Sequence, residues 1–519
     1  MEYYTLDTYI EALRRAGLLL KADAAGCGAE KVKGLTYDSR QVEEGTLFIC
    51  KGAAFREEYL KAAVKSGAMA YAAEKDYGLE GFPCLITSDI RKAMPLLADR
   101  FFCTPQNDLT ITAFGGTKGK STSAYYMKAV VDDYMRAEGK AESAILSTID
   151  NYDGVVREES HMTTPESVEL HRHFRNAVDS GISWLEMEVS SQALKYDRVD
   201  GIRFDAAVFL NISEDHISPS EHKDFEDYFT SKMKMFAQTD KAIVNLDSDL
   251  TGRILEYAKA SGSCHTFSLK DPQADFYGYD LRKTQKGISF RARCADFDED
   301  FSISMPGMFN VENAMGVIAA AYLQGIPVEY IRSGLARARS SGRMELFSNR
   351  DKSIIAIVDY AHNKLSFEKI FDAAAREYPG RKIVSVFGCT GGKGLDRRPL
   401  MGAVAAQYSC RVYLTTDDPG PEDPLDICAQ VKPVIEQSGC PCEIIEDRGL
   451  AIHKAVFDCH EPTLLLVLGK GNDSTQKICG KLAPYKTDEF YVKRYLEEYD
   501  EAPFHAGCFH RGASDGEKK

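Results

Sequence analysis

The chain has 519 residues, of which 44% are hydrophobic and 27% charged, an ordinary balance for a globular protein long enough for about three to four domains. Its formal net charge of -14 excludes the basic face of a nucleic-acid binder, so an anionic small molecule must be held by local lysines, arginines and backbone N–H groups. The 14 cysteines are scattered, with Cys440-Pro441-Cys442 the closest spacing and no paired CxxC units, which excludes a disulfide scaffold or zinc ribbon and reads as reduced thiols.

In chain order, the opening MEYYTLDTYIEALRRAG has helical spacing and lacks the basic start and apolar core of a signal peptide. No run approaches the ~18 apolar residues of a membrane span, so a cytoplasmic protein with no membrane partner is expected. GLTYDSRQVEEGTLFIC predicts strand, turn, strand, and EEYLKAAVKSGAMAYAAE a helix running into a strand. The turn cluster Pro105-Gln106-Asn107-Asp108 marks a boundary. From there LTITAF, WLEMEV, FDAAVFLNI and KAIVNLD alternate with helical segments, as do SIIAIVDY, RKIVSVFG, CRVYLTT and TLLLVLG further on. Such alternation predicts an α/β fold with mostly parallel sheets, whose ligand sites lie at the carboxyl ends of the strands. The expected division is 1–107, 108–342 and 343–500, followed by a polar tail over 501–519 that is expected to be mobile.

Gly115-Gly116-Thr117-Lys118-Gly119-Lys120-Ser121-Thr122 follows a predicted strand and opens a predicted helix. Glycines let backbone N–H groups approach phosphates, and the helix N-terminus favours negative charge. Lys120 would reach the β- and γ-phosphates and the Ser121 hydroxyl would bind Mg2+. Phe114 stands where the first glycine of the strict phosphate-loop pattern belongs, so the alternative is a glycine-rich turn with solvated lysines.

Three further signals lie at strand ends or on a helix. Glu188, ending a strand in MEVSS, is an oxygen ligand suited to Mg2+, although Ser190 and Ser191 could equally be starting a helix. Asp215-His216 follows FDAAVFLNI; alone, such a histidine is more often structural. Lys232 in YFTSKMKMF reads by itself as a solvated helical lysine.

Taken together, the motifs resemble the MurE ligases of peptidoglycan synthesis. The resemblance runs from about residue 34 to about 490 through TYDSRQV, GGTKGKST, MTTPES, MEVSSQAL, RVDGIRFDAAVFLNISEDH, YFTSK, MPGMFNVENA, GRME, VDYAHN, VFGCTGGKG with RRPLMG, TTDDPGPEDP and GKGNDSTQ. It implies a UDP-binding α/β domain, a central P-loop ATPase domain and a C-terminal Rossmann-like domain for the incoming amino acid. It also implies that Ser39 contacts the UDP-sugar and that Thr163, Thr164, Ser190 and Arg198 hold its phosphates or peptide arm. ATP would be bound by Gly116, Thr117, Lys118, Gly119, Lys120, Ser121 and Thr122 with Asn310, Asn313, Arg343 and Asp359. Ser121 and Glu188 would hold one Mg2+ and His216 a second, and Lys232 would carry a carbamate that presents a carboxylate to the metal.

The reaction so implied activates the γ-carboxyl of D-Glu in UDP-MurNAc-L-Ala-D-Glu as an acyl phosphate, which an α-amine then attacks. For the amino acid, the implied residues are Lys393, Asp417, Asp418, Pro419, Gly420 and Asp473. Ligases that use meso-diaminopimelate carry Asn and Arg where this chain has Asp418 and Gly420. Asp418 would repel a second carboxylate and favour a distal ammonium, so L-lysine is expected, with ornithine and diaminopimelate as alternatives. Lys393 stands where diaminopimelate enzymes often have Arg, and GKGNDSTQ departs from the usual residues after GKG while keeping a carboxylate at Asp473. A folylpolyglutamate synthase would not need the DSR and TTPES segments, and a non-catalytic nucleotide-binding paralogue would have lost metal or phosphate groups that are all present here. A monomer is expected.

Overall fold

A computed structural model describes residues 3–52, 55–160, 162–215, 217–218, 221–284, 287–339, 342–392, 397–479 and 481–502. His216, Lys393 and the tail from 503 lie outside the described residues.

Three large sheets follow one another along the chain, as the alternating pattern predicts, and a two-stranded one, Thr475–Ile478 with Lys481–Pro484, comes after them. The first is formed by Leu19–Asp23, Gly34–Thr36, Thr46–Ile49, Ala68–Ala73 and Cys84–Thr87; its last four strands are parallel and the first pairs antiparallel to Cys84–Thr87. Eleven strands form the second, with Thr110–Gly115 flanked by the parallel strands Trp184–Glu188 and Phe204–Phe209. Antiparallel segments widen both of its edges: Asp150–Tyr152 and Arg157–Glu159 on one, Gly287–Arg293 and Asp298–Ile303 on the other. In the third, Thr463–Leu468 sits between Ile354–Asp359 and Lys382–Phe387, all parallel. Every residue of Thr463–Leu468 is buried, as a central parallel strand covered on both faces requires.

Helix Lys120–Ala137 packs beneath the central sheet against Phe309–Leu323 and Val328–Arg337. Gly334 permits the close approach, since a Cβ there would strike the Val130 backbone. In the C-terminal unit, Arg448 and Asp488 form a fully buried bidentate pair at 2.7 Å, and Arg448 also donates to the Leu468 carbonyl at 2.9 Å. Helix Asp488–Glu501 is thereby fixed against Arg448–Phe457, and the strand end preceding Gly469 is held in place. Breaking such a pair by removing one partner costs about 3–5 kcal/mol, because the other charge stays buried. Among the described residues no helix is long and apolar enough to cross a membrane, and the described cysteines are free thiols.

Candidate active site

Thr110–Gly115 lies where the strand order of the central sheet reverses, and the loop leaving it turns directly into helix Lys120–Ala137. Gly116 and Gly119 adopt φ of +130° and +89°, a region that favours glycine. A Cβ on Gly119 would collide with Asn313 Oδ1, and one on Gly116 would lie 3.1 Å from the Asn211 backbone. Asn211 clamps the loop: its Oδ1 accepts from the Lys118 amide at 2.8 Å and its Nδ2 donates to the Lys118 carbonyl at 3.0 Å. Thr117 Oγ1 lies 3.0 Å from the Tyr228 hydroxyl and accepts from the Ser213 amide at 3.1 Å.

Three lysines converge on this loop. Lys120 Nζ donates to the carbonyls of Gly116 and Thr117 at 3.1 and 3.2 Å. Lys232, on helix Phe225–Met233, is buried and donates to the same Gly116 carbonyl at 2.7 Å. Lys118 Nζ lies 3.4 Å from Asp215 Oδ2. Burial is the main force on each ammonium: Lys118 is brought down to about 8, Lys120 is lowered, and Lys232 is held well below the ordinary lysine range, with Lys120 and Lys118 adding repulsion.

Glu188 ends the neighbouring strand and is buried, and its Oε1 accepts from the Thr148 amide at 2.7 Å. Ser121 Oγ accepts from Arg343 Nη2 at 3.4 Å. A carboxylate and a hydroxyl at the mouth of a phosphate loop form an oxygen donor set that fits Mg2+, which keeps several waters and leans on substrate phosphates for the rest. No group of three His, Cys, Asp or Glu side chains among the described residues is placed to hold a metal unaided.

Thr164, Ser190 and Arg198 lock together beside Glu188. Thr164 Oγ1 donates to the Glu188 carbonyl at 2.9 Å and accepts from the Ser190 amide at 3.0 Å. Ser190 caps helix Ser191–Lys195, as the alternative reading of MEVSS has it, by accepting from the Ala193 amide. Arg198 pairs with Glu166 at 3.0 Å, and Glu166 with Lys51 at 2.6 Å. Thr163 Oγ1 accepts from Thr148 Oγ1 at 3.2 Å. Ser39 stands apart, in the short turn Ser39–Gln41 of the N-terminal unit.

One cleft of ≈ 2160 Å³ is lined by Thr117 to Thr122, Glu188, Ser190, Arg198, Lys232, Arg343, Asp417, Asp418 and Asp473. A neighbouring pocket of ≈ 580 Å³ holds Asn310, Asn313, Arg343 and Asp359 with Phe309 and Ile370, a polar rim and apolar wall suited to a nucleoside. Asn313 Nδ2 donates to Asn310 Oδ1 at 3.0 Å. Asp359 accepts from the amides of Met344 and Ala361 at 2.8 and 2.7 Å, and burial raises its carboxyl.

Across the cleft lies an acidic cluster. Lys470 Nζ bridges Asp418 Oδ1 and Asp473 Oδ2, both at 3.0 Å. Asp417 is buried, and its Oδ2 has no hydrogen-bond partner among the described residues. Burial pushes Asp473 up to about 6 and raises Asp417, both opposed by Lys470. Burial acts against the Lys470 ammonium, but Asp417, Asp473 and Asp418 outweigh it and raise its affinity for the proton. Gly420 is engaged through its backbone: φ is +60° and its amide donates to the Lys477 carbonyl at 2.8 Å. Pro419 and Gly420 are not among the residues that line the cleft.

Comparison with known proteins agrees with this architecture. Residues 114–321 match the Mur ligase middle domain, and 342–471 match the Mur ligase glutamate ligase domain. A UDP-N-acetylmuramyl-tripeptide synthetase of Lactobacillus acidophilus is 36% identical over 96% of this chain and 98% of its own length. The chain belongs to the MurE family of Mur ligases. A second relative, a UDP-N-acetylmuramoyl-L-alanyl-D-glutamate--L-lysine ligase of Streptococcus pneumoniae, is 38% identical over 95% of this chain and 99% of its own length. Among solved structures, a UDP-N-acetylmuramoyl-L-alanyl-D-glutamate--2,6-diaminopimelate ligase shares the fold, with a TM-score of 0.65 at 24% identity over 96% of this chain and 99% of that one.

In this Mur ligase, several groups inside the sequence motifs make contacts at the centre of the site that sequence reasoning does not assign. Asp215 accepts from Arg397 at 2.8 Å and from Asn363 at 2.9 Å, so one carboxylate ties the C-terminal unit to the phosphate loop through Lys118. Asn363 carries a helix-start signal: it caps Lys364–Glu377 in a reciprocal arrangement with Ser366. Lys470, between Gly469 and Gly471 and three residues before Asp473, is a further group of the site that its sequence position signals. The expectation that Asp418 stands ready for a substrate ammonium needs adjusting, because Lys470 already lies against it.

Proposed function

We propose that this chain is an ATP-dependent amide ligase that adds L-lysine to the D-Glu γ-carboxyl of UDP-MurNAc-L-Ala-D-Glu. The observation that carries this reading is the convergence, in one cleft, of a phosphate loop, a buried lysine bonded to the Gly116 carbonyl, Glu188, and a cluster of carboxyl groups. The proposed division of labour is UDP-sugar binding by 1–107 with Ser39, ATP binding by 108–342, and amino-acid binding by 343–500. The nucleoside would occupy the pocket of Asn310, Asn313, Arg343 and Asp359, and its phosphates the amides of Gly116 to Thr122.

The γ-carboxylate attacks the terminal phosphate of ATP; both are anions. Lys118 and Lys120 offset that repulsion from fixed positions, which favours the transition state because no reorganisation is needed as charge spreads. Thr164, Ser190 and Arg198 would hold the peptide arm so that its carboxylate reaches the loop. Mg2+ would sit at Ser121 and Glu188, with His216 at a second ion, and would neutralise phosphate charge. Lys232 is suited to capture CO2, because only an uncharged amine can form the N–C bond and then release its proton; the resulting carboxylate would attract a metal that an ammonium repels. The α-amine then attacks the acyl phosphate, and amide and orthophosphate result. Positioning three reactants within one cleft supplies much of the rate.

Lysine is favoured over diaminopimelate by charge. Asp417, Asp418 and Asp473 bring three carboxyl groups to one side of the cleft, where Lys470 bridges Asp418 and Asp473. Asp417 is the carboxylate with a buried, unpaired oxygen, so it replaces Asp418 as the favoured partner of a distal ammonium. Ornithine presents that ammonium on a shorter arm. The test is amide formation with lysine, ornithine and meso-diaminopimelate in parallel: lysine should give the highest kcat/KM, and a preference for diaminopimelate would remove the assignment.

A further inference from the structure

His362 follows strand Ile354–Asp359 and lines the main cleft. It also lines a recess of ≈ 240 Å³ with Thr390, Arg397 and Asp417. Its ring therefore faces the interval between the phosphate loop and the acidic cluster, where an amine held on one side must meet an acyl phosphate held on the other. The ring orientation is fixed: Nδ1 lies 2.8 Å from the Tyr360 carbonyl and the two rings stand edge to face at 5.2 Å. A carbonyl can only accept, so Nδ1 carries the hydrogen, and Nε2 is left with its lone pair. Nε2 makes no hydrogen bond among the described residues. The charged groups around the ring are Lys118 on the phosphate loop, Arg397 on the helix Arg397–Tyr408, Asp215 after strand Phe204–Phe209, and Asp417 across the recess. Burial, Lys118 and Arg397 keep the imidazole neutral, with Asp215 opposing.

We propose that His362 is the proton shuttle of amide formation, taking a proton from the attacking nitrogen at Nε2 and passing it to the departing phosphate. The inference rests on the ligase reading above. The neutral α-amine adds to the acyl carbon, forming the C–N bond. Its nitrogen becomes acidic as that bond forms and gives one proton to Nε2. The C–O bond to phosphate then breaks, and the phosphate oxygen takes that proton and leaves as HPO4 2-. The amide keeps one N–H, the imidazole returns to neutral, and no oxidant or further reactant is needed. The two cations that hold the ring neutral are the ones a bound phosphate would neutralise, so the ring gains basicity when the acyl phosphate is present.

Hydroxylamine separates the shuttle from the earlier steps. It is a weakly basic nucleophile whose adduct sheds its proton to water, so it traps an acyl phosphate without help from the protein. Wild-type protein, His362→Ala and His362→Gln would each be given ATP, Mg2+ and UDP-MurNAc-L-Ala-D-Glu with either hydroxylamine or lysine. Hydroxamate formation in both variants should stay within about threefold of wild type, which also shows that they fold. The kcat for lysine amide should fall about 100-fold or more, as expected for loss of acid–base catalysis, with KM for lysine within about threefold, and added imidazole should partly restore His362→Ala. Lysine amide formation at the wild-type rate, or an equal fall in hydroxamate and amide, would overturn the shuttle. Wild-type protein that forms neither product would overturn the ligase reading and the shuttle with it.

Discussion

Glu186 offers a quantitative test of how the central sheet is built. It lies two residues before Glu188 on Trp184–Glu188, fully buried, facing Lys128 and Asp132 of the phosphate-loop helix. Burial pushes its carboxyl up from 4.5 to about 8, against the attraction of Lys128. At pH 7 the folded protein holds Glu186 protonated while the unfolded chain has it ionised, so folding takes up a proton. The stability contributed by the neutral form is complete below pH 4.5, is lost as pH rises, and levels off above about 8. At about 1.36 kcal/mol per unit, roughly 3 kcal/mol is gone at pH 7 and roughly 5 at pH 8. Glu186→Gln keeps the shape and has no proton to take up. Trp184 is the chain's one tryptophan and sits on the same strand, so urea unfolding followed by its fluorescence reports on this sheet. The difference in stability between variant and wild type should grow by roughly 3 kcal/mol from pH 5 to pH 8. Parallel curves for the two proteins would refute the reasoning, because they would mean that Glu186 is ionised in the fold and satisfied by Lys128.

Three further outcomes follow from the site. Gly119→Ala places a side chain at φ +89° and against Asn313; a left-handed penalty of roughly 1–2 kcal/mol should raise KM for ATP about 5- to 30-fold in a steady-state assay. Lys232→Ala should lower kcat about 100-fold or more, as loss of a preorganised charge does, and short carboxylates such as formate should restore part of it; unchanged activity would remove the carbamate role. Asp417→Asn takes the charge from the unpaired buried oxygen and should raise KM for lysine about 10- to 100-fold, the range of a hydrogen bond to a charged group, with KM for ATP unchanged.

Much of this fold is legible because parallel strands are apolar on both faces. SIIAIVDY, RKIVSVFG and TLLLVLG stand out as unbroken runs and appear as Ile354–Asp359, Lys382–Phe387 and Thr463–Leu468. The antiparallel edge strand Arg157–Glu159 is not legible: all three of its residues are exposed, so no burial pattern marks it. The phosphate loop is readable from its glycines, since local backbone geometry demands them. Asp215, His362, Asn363 and Arg397 fall inside readable motifs, but the contacts they make are not readable, because each is a single polar residue on a loop or helix end. Their meaning arises only when two units of the chain meet, and a sequence read locally carries no trace of that meeting. Lys232 is the sharpest case: its sequence neighbours make it a solvated lysine, whereas the fold buries it against the Gly116 carbonyl.

The central claim is that ATP energy is spent on making a peptide carboxylate electrophilic toward an incoming amine. Orthophosphate release, measured with purified protein while UDP-MurNAc-L-Ala-D-Glu, ATP and L-lysine are omitted one at a time, tests it most directly. Sustained release should require all three and match the amide formed one for one. Failure to release orthophosphate with all three present, or release that continues at the same rate without the peptide substrate, would contradict it.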